Sequence, residues 1–228
     1  MAGIIREPIS FASADRASQI KGWLWLPEGT PKGIVQLTHG MAEHIERYDE
    51  FARCLAGSGF AVCGHDQVGH GASAPLGKHG CLPAANGADV LISDVDTLRH
   101  LMQTHAGIGT PYFLFGHSLG SFIVRSYISR HGTGLAGAII CGTGHVPPAT
   151  SKAGNTICHL ICRLKGEDAV SGLLSSMGVG AYAKAIKDAA GPLDWLSYNR
   201  KNIERYEADP LCGFPFSAGG YATVTALT

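Results

Sequence analysis

The chain has 228 residues, with 18 Lys and Arg balanced by 18 Asp and Glu, and 45% of its residues are hydrophobic. This length suits one domain, or one domain with an insertion, and the apolar fraction is enough for a hydrophobic core, which excludes a disordered chain. The balanced charge argues against a dedicated nucleic-acid-binding protein, because such proteins normally carry a basic surplus.

Up to about residue 144, short apolar runs that predict strands alternate with longer amphipathic runs that predict helices. The predicted strands are residues 20–26, 33–38, 60–64, 112–115 and 136–141. The predicted helices lie around residues 48–55, 88–105 and 118–130. The last two strands are continuous apolar runs typical of strands buried on both faces. Strand and helix alternation at this spacing indicates an α/β fold with a mostly parallel sheet.

After two prolines at 147–148 the chain reads as helical, without a convincing strand. We therefore interpret residues 1–144 as the core and residues 145–215 as a helical lid inserted over the carboxyl edge of the sheet. Residues 216–228 are interpreted as the start of the return to the core, and they could form the first turns of a helix. Ligands collect at the carboxyl edge in such folds, so the lid is expected above the functional site.

A pentapeptide between the fourth strand and the third helix matches the pattern G-x-S-x-G. It consists of Gly116, His117, Ser118, Leu119 and Gly120. A serine on such a sharp turn projects at the end of the strand, and the glycines are needed because side chains there would collide with the strand and helix packed alongside. The bare pattern also occurs by chance, but the flanking strand and helix favour a nucleophile, Ser118, over a merely structural turn.

His39 and Gly40 follow directly on the strand at 33–38. Acyl transfer needs two backbone N–H donors aimed at the oxyanion that develops in the transition state. One donor would be the residue after the nucleophile, Leu119, and the other would be Met41, in the loop after an earlier strand. The alternative is a glycine turn that ends a strand beside a hydrogen-bonded His39.

A third motif, Asp66 to Ser73, follows the strand at 60–64. It could orient groups of the site, but we favour a structural loop in which Asp66 and His70 bond to the backbone.

Three segments in this order resemble the α/β-hydrolase family, and more narrowly its monoacylglycerol lipase and lysophospholipase branch, the serine aminopeptidase-like hydrolases. They are HGMAEHIERYDEFA (39–52), HDQVGHGAS (65–73) and GHSLG (116–120). Residues 209–221 are similar to the stretch that leaves the lid in bacterial members. The resemblance implies an eight-stranded sheet with a lid, and ester hydrolysis by a Ser-His-Asp triad without a cofactor. It matches Ser118 to the nucleophile, and Met41 and Leu119 to the oxyanion donors.

In this family the triad acid and base follow the nucleophile, on core strands beyond the lid. We find no such strand before Thr228, so we expect both positions to lie beyond the end of this chain. His145 is the best substitute base, although a solvated hinge residue is favoured, whereas His131 should point away from the turn. A serine without an adjacent base is a weak nucleophile, so the chain alone is predicted to be nearly inactive. Missing strands would also leave residues 136–141 as an apolar edge, with poor solubility.

The lid region contains two further patterns. Cys158, His159 and Cys162 invite a metal site, but a tetrahedral site needs four ligands and no second pair is nearby, so we interpret both cysteines as small apolar residues on one helix face. The apolar lid residues either line an acyl-chain pocket or pack the lid onto the sheet, and both alternatives stay open. They are Ile157, Ile161, Leu173, Leu174, Met177 and Tyr182.

The sequence therefore predicts a serine hydrolase that cleaves lipid esters of the monoacylglycerol or lysophospholipid type, with no metal and no cofactor. No apolar run reaches the length of a membrane span, residues 1–16 lack the apolar centre of a signal peptide, and seven cysteines without pair spacing indicate reduced thiols. A cytoplasmic location follows, with transient contact to a membrane surface possible. The alternatives are a peptidase or haloperoxidase of the same fold, or a non-catalytic protein that binds a small ligand under the lid.

Overall fold

A computed structural model describes residues 3–107, 109–178, 180, 182 and 186–228. The described strands form one six-stranded sheet in the order β1-β2-β4-β3-β5-β6. They are β1 (Ile5–Ala12), β2 (Gln19–Leu26), β3 (Ile34–Thr38), β4 (Ala61–His65), β5 (Tyr112–His117) and β6 (Gly137–Cys141). The β1–β2 and β2–β4 pairs are antiparallel and the other three pairs are parallel, which confirms the α/β fold with a mostly parallel sheet.

Helices cover both faces of the sheet. They are α1 (Asp49–Gly57), α2 (Gly87–Ala106), α3 (Leu119–His131), α4 (Pro148–Lys165), α5 (Gly172–Met177), α6 (Arg200–Ala208) and α7 (Ala218–Leu227), with short 3-10 helices at Ile45–Tyr48 and Gly71–Ser73. One hydrophobic cluster joins α1 to Trp25 and Leu37 of the sheet. The other joins α2, α3 and α7 to the opposite face, where Leu114 is buried. The predicted core strands and helices are present, with ends shifted by one or two residues.

Two strands differ from the sequence-based prediction. β1 is not predicted by the sequence, because its polar side chains and Pro8 do not read as a core strand. Pro8 is tolerated there because β1 is the outer strand of the described sheet, which is where proline occurs within sheets. The strand at 136–141 is predicted to be buried, and this is wrong: all five residues of β6 are exposed or half-buried, and Ile139 is 51% exposed. In the described part of the chain β6 pairs with β5 alone.

The described residues after β6 form helices and connecting turns, as predicted, and residues 218–227 form α7. Two side chains of α4 fasten it to α7, since Ser151 Oγ donates to the Thr225 carbonyl at 2.6 Å and Asn155 Nδ2 to the Ala222 carbonyl at 3.0 Å. Cys158 is buried in the core and Cys162 packs against it, which confirms their interpretation as apolar residues of α4. Within the described residues, we find no helix with both the length and the apolar character needed to cross a membrane.

Candidate active site

Ser118 stands on the sharp turn between β5 and α3. Its backbone has φ 53° and ψ −118°, a region that non-glycine residues rarely adopt and that marks a strained turn. The turn is held on both sides, because the Ser118 N–H donates to the Cys141 carbonyl at 3.0 Å and the Ser118 carbonyl accepts from Ser121 Oγ at 2.5 Å. The strand therefore runs directly into the helix, and the serine projects between them.

The glycines of the pentapeptide lie where backbone segments touch. A Cβ atom on Gly116 would lie 2.4 Å from the carbonyl oxygen of Gly120. A Cβ atom on Gly120 would lie 2.0 Å from the carbonyl oxygen of Thr38, the last residue of β3. Both distances are far below van der Waals contact, so the approach of α3 to β3 and β5 requires glycine at both positions.

The loop after β3, residues 39–42, lies against the serine. A Cβ atom on Gly40 would be 3.2 Å from Ser118 Cβ, and Ala42 has φ 53°, a second strained position. The Met41 N–H forms no hydrogen bond with the described residues. The Leu119 N–H is the first of α3, where amides have no acceptor within the helix. Neither N–H has an acceptor among the described residues, and both belong to segments that adjoin Ser118.

Hydrogen bonds of His39 fix the position of this loop. Its Nε2 accepts from the Gln67 N–H at 3.1 Å, so its proton is on Nδ1, which donates to the Gly40 carbonyl at 2.8 Å. Burial lowers the pKa of His39, which keeps the ring neutral. The Gln67 side chain also donates to the His39 carbonyl at 2.7 Å. Both ring nitrogens of His39 are therefore hydrogen-bonded to the backbone. His39 supports the loop and does not accept the proton of Ser118.

The side chains of the loop at 66–73 form hydrogen bonds with the backbone, as predicted for a structural loop. The Asp66 carboxylate accepts from the Ile45 and Ala72 N–H groups, both at 2.8 Å. His70 Nδ1 lies 2.9 Å from the Val68 carbonyl oxygen.

The sequence analysis missed a buried carboxylate, Glu43, that joins the loop to the turn. Glu43 Oε1 accepts from the Gly40 N–H at 2.6 Å and from the Tyr48 hydroxyl at 2.8 Å, and Oε2 accepts from Arg47 Nε at 2.9 Å. His117 Nδ1 lies 2.9 Å from the Tyr48 oxygen and 3.4 Å from Glu43. The available signal was Arg47 four residues after Glu43, the spacing of a helical ion pair.

Glu43 is ionised at neutral pH in spite of its burial. Burial by itself would raise its pKa, but the hydrogen bond with His117, the electrostatic effect of the neighbouring His39 and His117 imidazoles and the hydrogen bond from Tyr48 outweigh that effect and lower the pKa to about 2. The same carboxylate raises the pKa of Arg47 against the opposing effect of burial. The Gly40 N–H is thus bound to a permanent negative charge, which fixes the loop beside Ser118.

We expect the free energy of unfolding of Glu43→Gln to change less with pH, in the acid range below 4.5, than that of the unmodified chain. The folded-state pKa of about 2 lies below the ordinary value of 4.5, so the stabilisation is complete above 4.5 and is lost as pH falls from 4.5 towards 2. Such a shift corresponds to about 3 kcal/mol. Urea unfolding at several pH values measures the slope, with Glu50→Gln, an exposed acid of α1, as control. Equal slopes for Glu43→Gln and the unmodified chain would contradict this account.

None of the eleven histidines, all within the described residues, is hydrogen-bonded to the Ser118 hydroxyl. His117 faces Tyr48. His131 ends α3 at the far side from the turn and stacks on Tyr127 with 5.1 Å between ring centroids, in agreement with its predicted direction. His145 is exposed in the loop after β6. Within the described residues, Ser118 therefore has no imidazole base hydrogen-bonded to it.

Comparisons with known proteins identify the family of this chain. Residues 29–228 match the family described as serine aminopeptidase, S33 (Hydrolase_4). Monoglyceride lipase of Mus musculus is 28% identical over 193 residues, which cover 82% of this chain and 54% of that protein, so the chain spans about half the length of this relative.

Two solved structures are similar over nearly the whole chain. A thermostable carboxyl esterase from Bacillus coagulans, in complex with glycerol, superposes with a TM-score of 0.88 at 29% identity and covers all of this chain and 72% of that one. A lipase in an open form superposes with a TM-score of 0.83 at 28% identity, covering 98% of this chain and 73% of that one. The chain therefore belongs to the serine aminopeptidase S33 family and has the α/β-hydrolase fold of esterases and lipases.

Proposed function

We propose that the protein is a serine hydrolase that cleaves carboxylic esters of lipids, of the monoacylglycerol or lysophospholipid type. The observation that carries the proposal is Ser118 on a strained strand-to-helix turn, with Gly40 packed against it. We assign the amides of Met41 and Leu119, in the adjoining segments, as the donors of the oxyanion hole. The substrate class rests on the similarity to monoglyceride lipase and carboxyl esterase. This arrangement suits acyl transfer better than the other chemistries of the fold.

In the proposed mechanism, Ser118 Oγ attacks the acyl carbon and the carbonyl oxygen becomes negatively charged. The N–H groups of Met41 and Leu119 bind that oxygen, and the positive end of the α3 dipole favours the charge. Donors of this kind are typically worth about 10²–10³ in rate each. Their support comes from the Glu43–Gly40 contact and from the close approach of Gly116 and Gly120, which fixes Leu119 at the helix start.

The serine proton needs an acceptor, and no described histidine is bonded to Ser118. We propose that the base and the acid of the triad come from residues outside those described, and that the 228-residue chain by itself is consequently nearly inactive. His145 does not fill the role, because in the structure it is exposed and forms no hydrogen bond with the described residues.

We further propose that residues 145–215 act as a lid that receives the acyl chain. The end of this region reaches the site, since the Tyr206 hydroxyl and the Gly213 N–H both donate to the Ala42 carbonyl, at 2.8 and 2.9 Å. Ile157 and Ile161 pack onto the core, and Leu174 is buried there. Leu173 and Met177 are more than half exposed and are available to an acyl chain or a membrane surface. The lid residues thus divide between packing and exposure.

A second candidate, a non-catalytic protein that binds a small ligand under the lid, is favoured by one observation only, the missing base beside Ser118. A fluorophosphonate probe separates the two, because it reacts with an activated serine alone. A form of the protein that includes the proposed base should be labelled at Ser118, identified by peptide mass spectrometry, and should release fatty acid from a monoacylglycerol. Ser118→Ala should abolish both, whereas Ser129→Ala, an exposed serine of α3, should retain them. Absence of labelling in the unmodified protein would favour the binding function.

A further inference from the structure

Three side chains with metal-binding atoms meet where the segment after α6 contacts the start of the 3-10 helix at Ile45–Tyr48. His44, Asp209 and Cys212 each present one donor atom, and these atoms all lie within 4.8 Å of one another. His44 Nε2 and Asp209 Oδ2 are 2.8 Å apart. The three residues belong to segments that are 165 residues apart in the chain, so no local pattern reveals the cluster.

Local structure places the two later residues on the same side of a tight turn. The Cys212 N–H donates to the Asp209 carbonyl at 3.0 Å, and Pro210 occupies the second position of the turn, where proline is favoured. The Leu211 N–H donates to Asp209 Oδ1 at 2.9 Å. That bond orients the carboxylate and leaves Oδ2 directed at His44, in the way that outer hydrogen bonds orient metal ligands.

Burial and charge at the cluster suit a divalent cation. His44 is buried, and Asp209 and Cys212 are partly buried, which limits competition from bulk water. Arg47 lies beside the cluster: its Nε is bound to Glu43 Oε2 at 2.9 Å, and its guanidinium also contacts Cys212, so a cation would have to take the sulfur over from it. The carboxylate and a thiolate would carry two negative charges, which a divalent cation neutralises.

We propose that His44 Nε2, an oxygen of Asp209 and Cys212 Sγ form a binding site for Zn²⁺ or a similar borderline-soft divalent cation, with water as fourth ligand. Zinc binds nitrogen, oxygen and sulfur ligands at roughly 2.0–2.3 Å in tetrahedral geometry, so the present separations need only small side-chain movements. On binding, the thiol proton is released to solvent as the Zn–S bond forms. The ion would tie the end of the proposed lid to the loop beside Ser118.

This proposal does not depend on hydrolysis, and its test needs no substrate.

Cobalt titration of the 228-residue chain tests the site, because Co²⁺ bound to a thiolate absorbs in the near ultraviolet. We expect one equivalent to bind and to be displaced by Zn²⁺. Cys212→Ser should remove the thiolate band, and His44→Gln should weaken Zn²⁺ binding at least tenfold. Cys54→Ser, at an exposed cysteine of α1, should change neither. No band at one equivalent, or a band that persists in Cys212→Ser, would overturn the proposal.

A second measurement uses the unmodified chain and so does not require the variants to fold. Alkylation of Cys212 by iodoacetamide, followed by peptide mass spectrometry, should slow at least fivefold with Zn²⁺ and recover with a chelator. Cys81, which is partly buried elsewhere, serves as internal control and should show no change. An equal alkylation rate of Cys212 with and without Zn²⁺ would count against the site.

Discussion

Acting alone, the 228-residue chain is expected to hydrolyse 4-nitrophenyl acetate at most about 10³–10⁴ times faster than water, the residual that binding and oxyanion stabilisation leave when a triad member is missing. The reason is that the Ser118 hydroxyl has no imidazole bonded to it among the described residues. A serine hydroxyl without a base is a weak nucleophile, and removing the base of a triad costs about as much as removing the whole triad, roughly 10⁶ in kcat.

The measurement is the initial rate of the chain beside that of Ser118→Ala. We expect the two rates to agree within about tenfold, because the oxyanion donors remain in both proteins and the serine is not activated in either. Ser129→Ala, on the exposed side of α3, controls for preparation quality. A Ser118→Ala rate lower by three orders of magnitude would show that a base is already present, and His145 would then be the first residue to substitute.

Gly120→Ala is expected to destabilise the fold by about 3 kcal/mol or more, at the upper end of overpacking effects. The added Cβ atom would lie 2.0 Å from the Thr38 carbonyl oxygen and 2.7 Å from that of His39. Both are backbone atoms, so no side-chain rotation relieves the contact, and α3 must move away from the end of β3. Because that movement separates Leu119 from the loop at 39–42, the variant should also lose hydrolytic activity.

Urea unfolding measures the loss of stability. The matched control is Gly57→Ala at the exposed end of α1, where an added Cβ atom meets nothing within 4 Å. Alanine is the better helix former there, so the control should be neutral or more stable by up to about 1 kcal/mol. Equal unfolding free energies for Gly120→Ala and the unmodified chain would mean that the close approach of α3 and β3 does not constrain this position.

The sequence patterns that predicted the structure correctly are local ones. The turn at Ser118 depends on a strand, two glycines and a helix within about twenty consecutive residues, so periodicity and spacing could place it. The same holds for α2, whose apolar spacing predicts 88–105 and whose observed span is Gly87–Ala106. In both cases the residues that determine the structure are neighbours in the chain.

The features that the sequence could not supply depend on contacts between distant segments. Whether β6 is buried is decided by what pairs with and covers it, and an apolar run such as AIIC carries no information about its neighbours. Glu43 and His117 are 74 residues apart, and His44 and Asp209 are 165 apart. The sequence by itself determined the fold class, the strand-to-helix turn and the family, because these follow from local pattern. Only the tertiary structure decided which charges meet, because side chains brought together by packing leave no periodic signal.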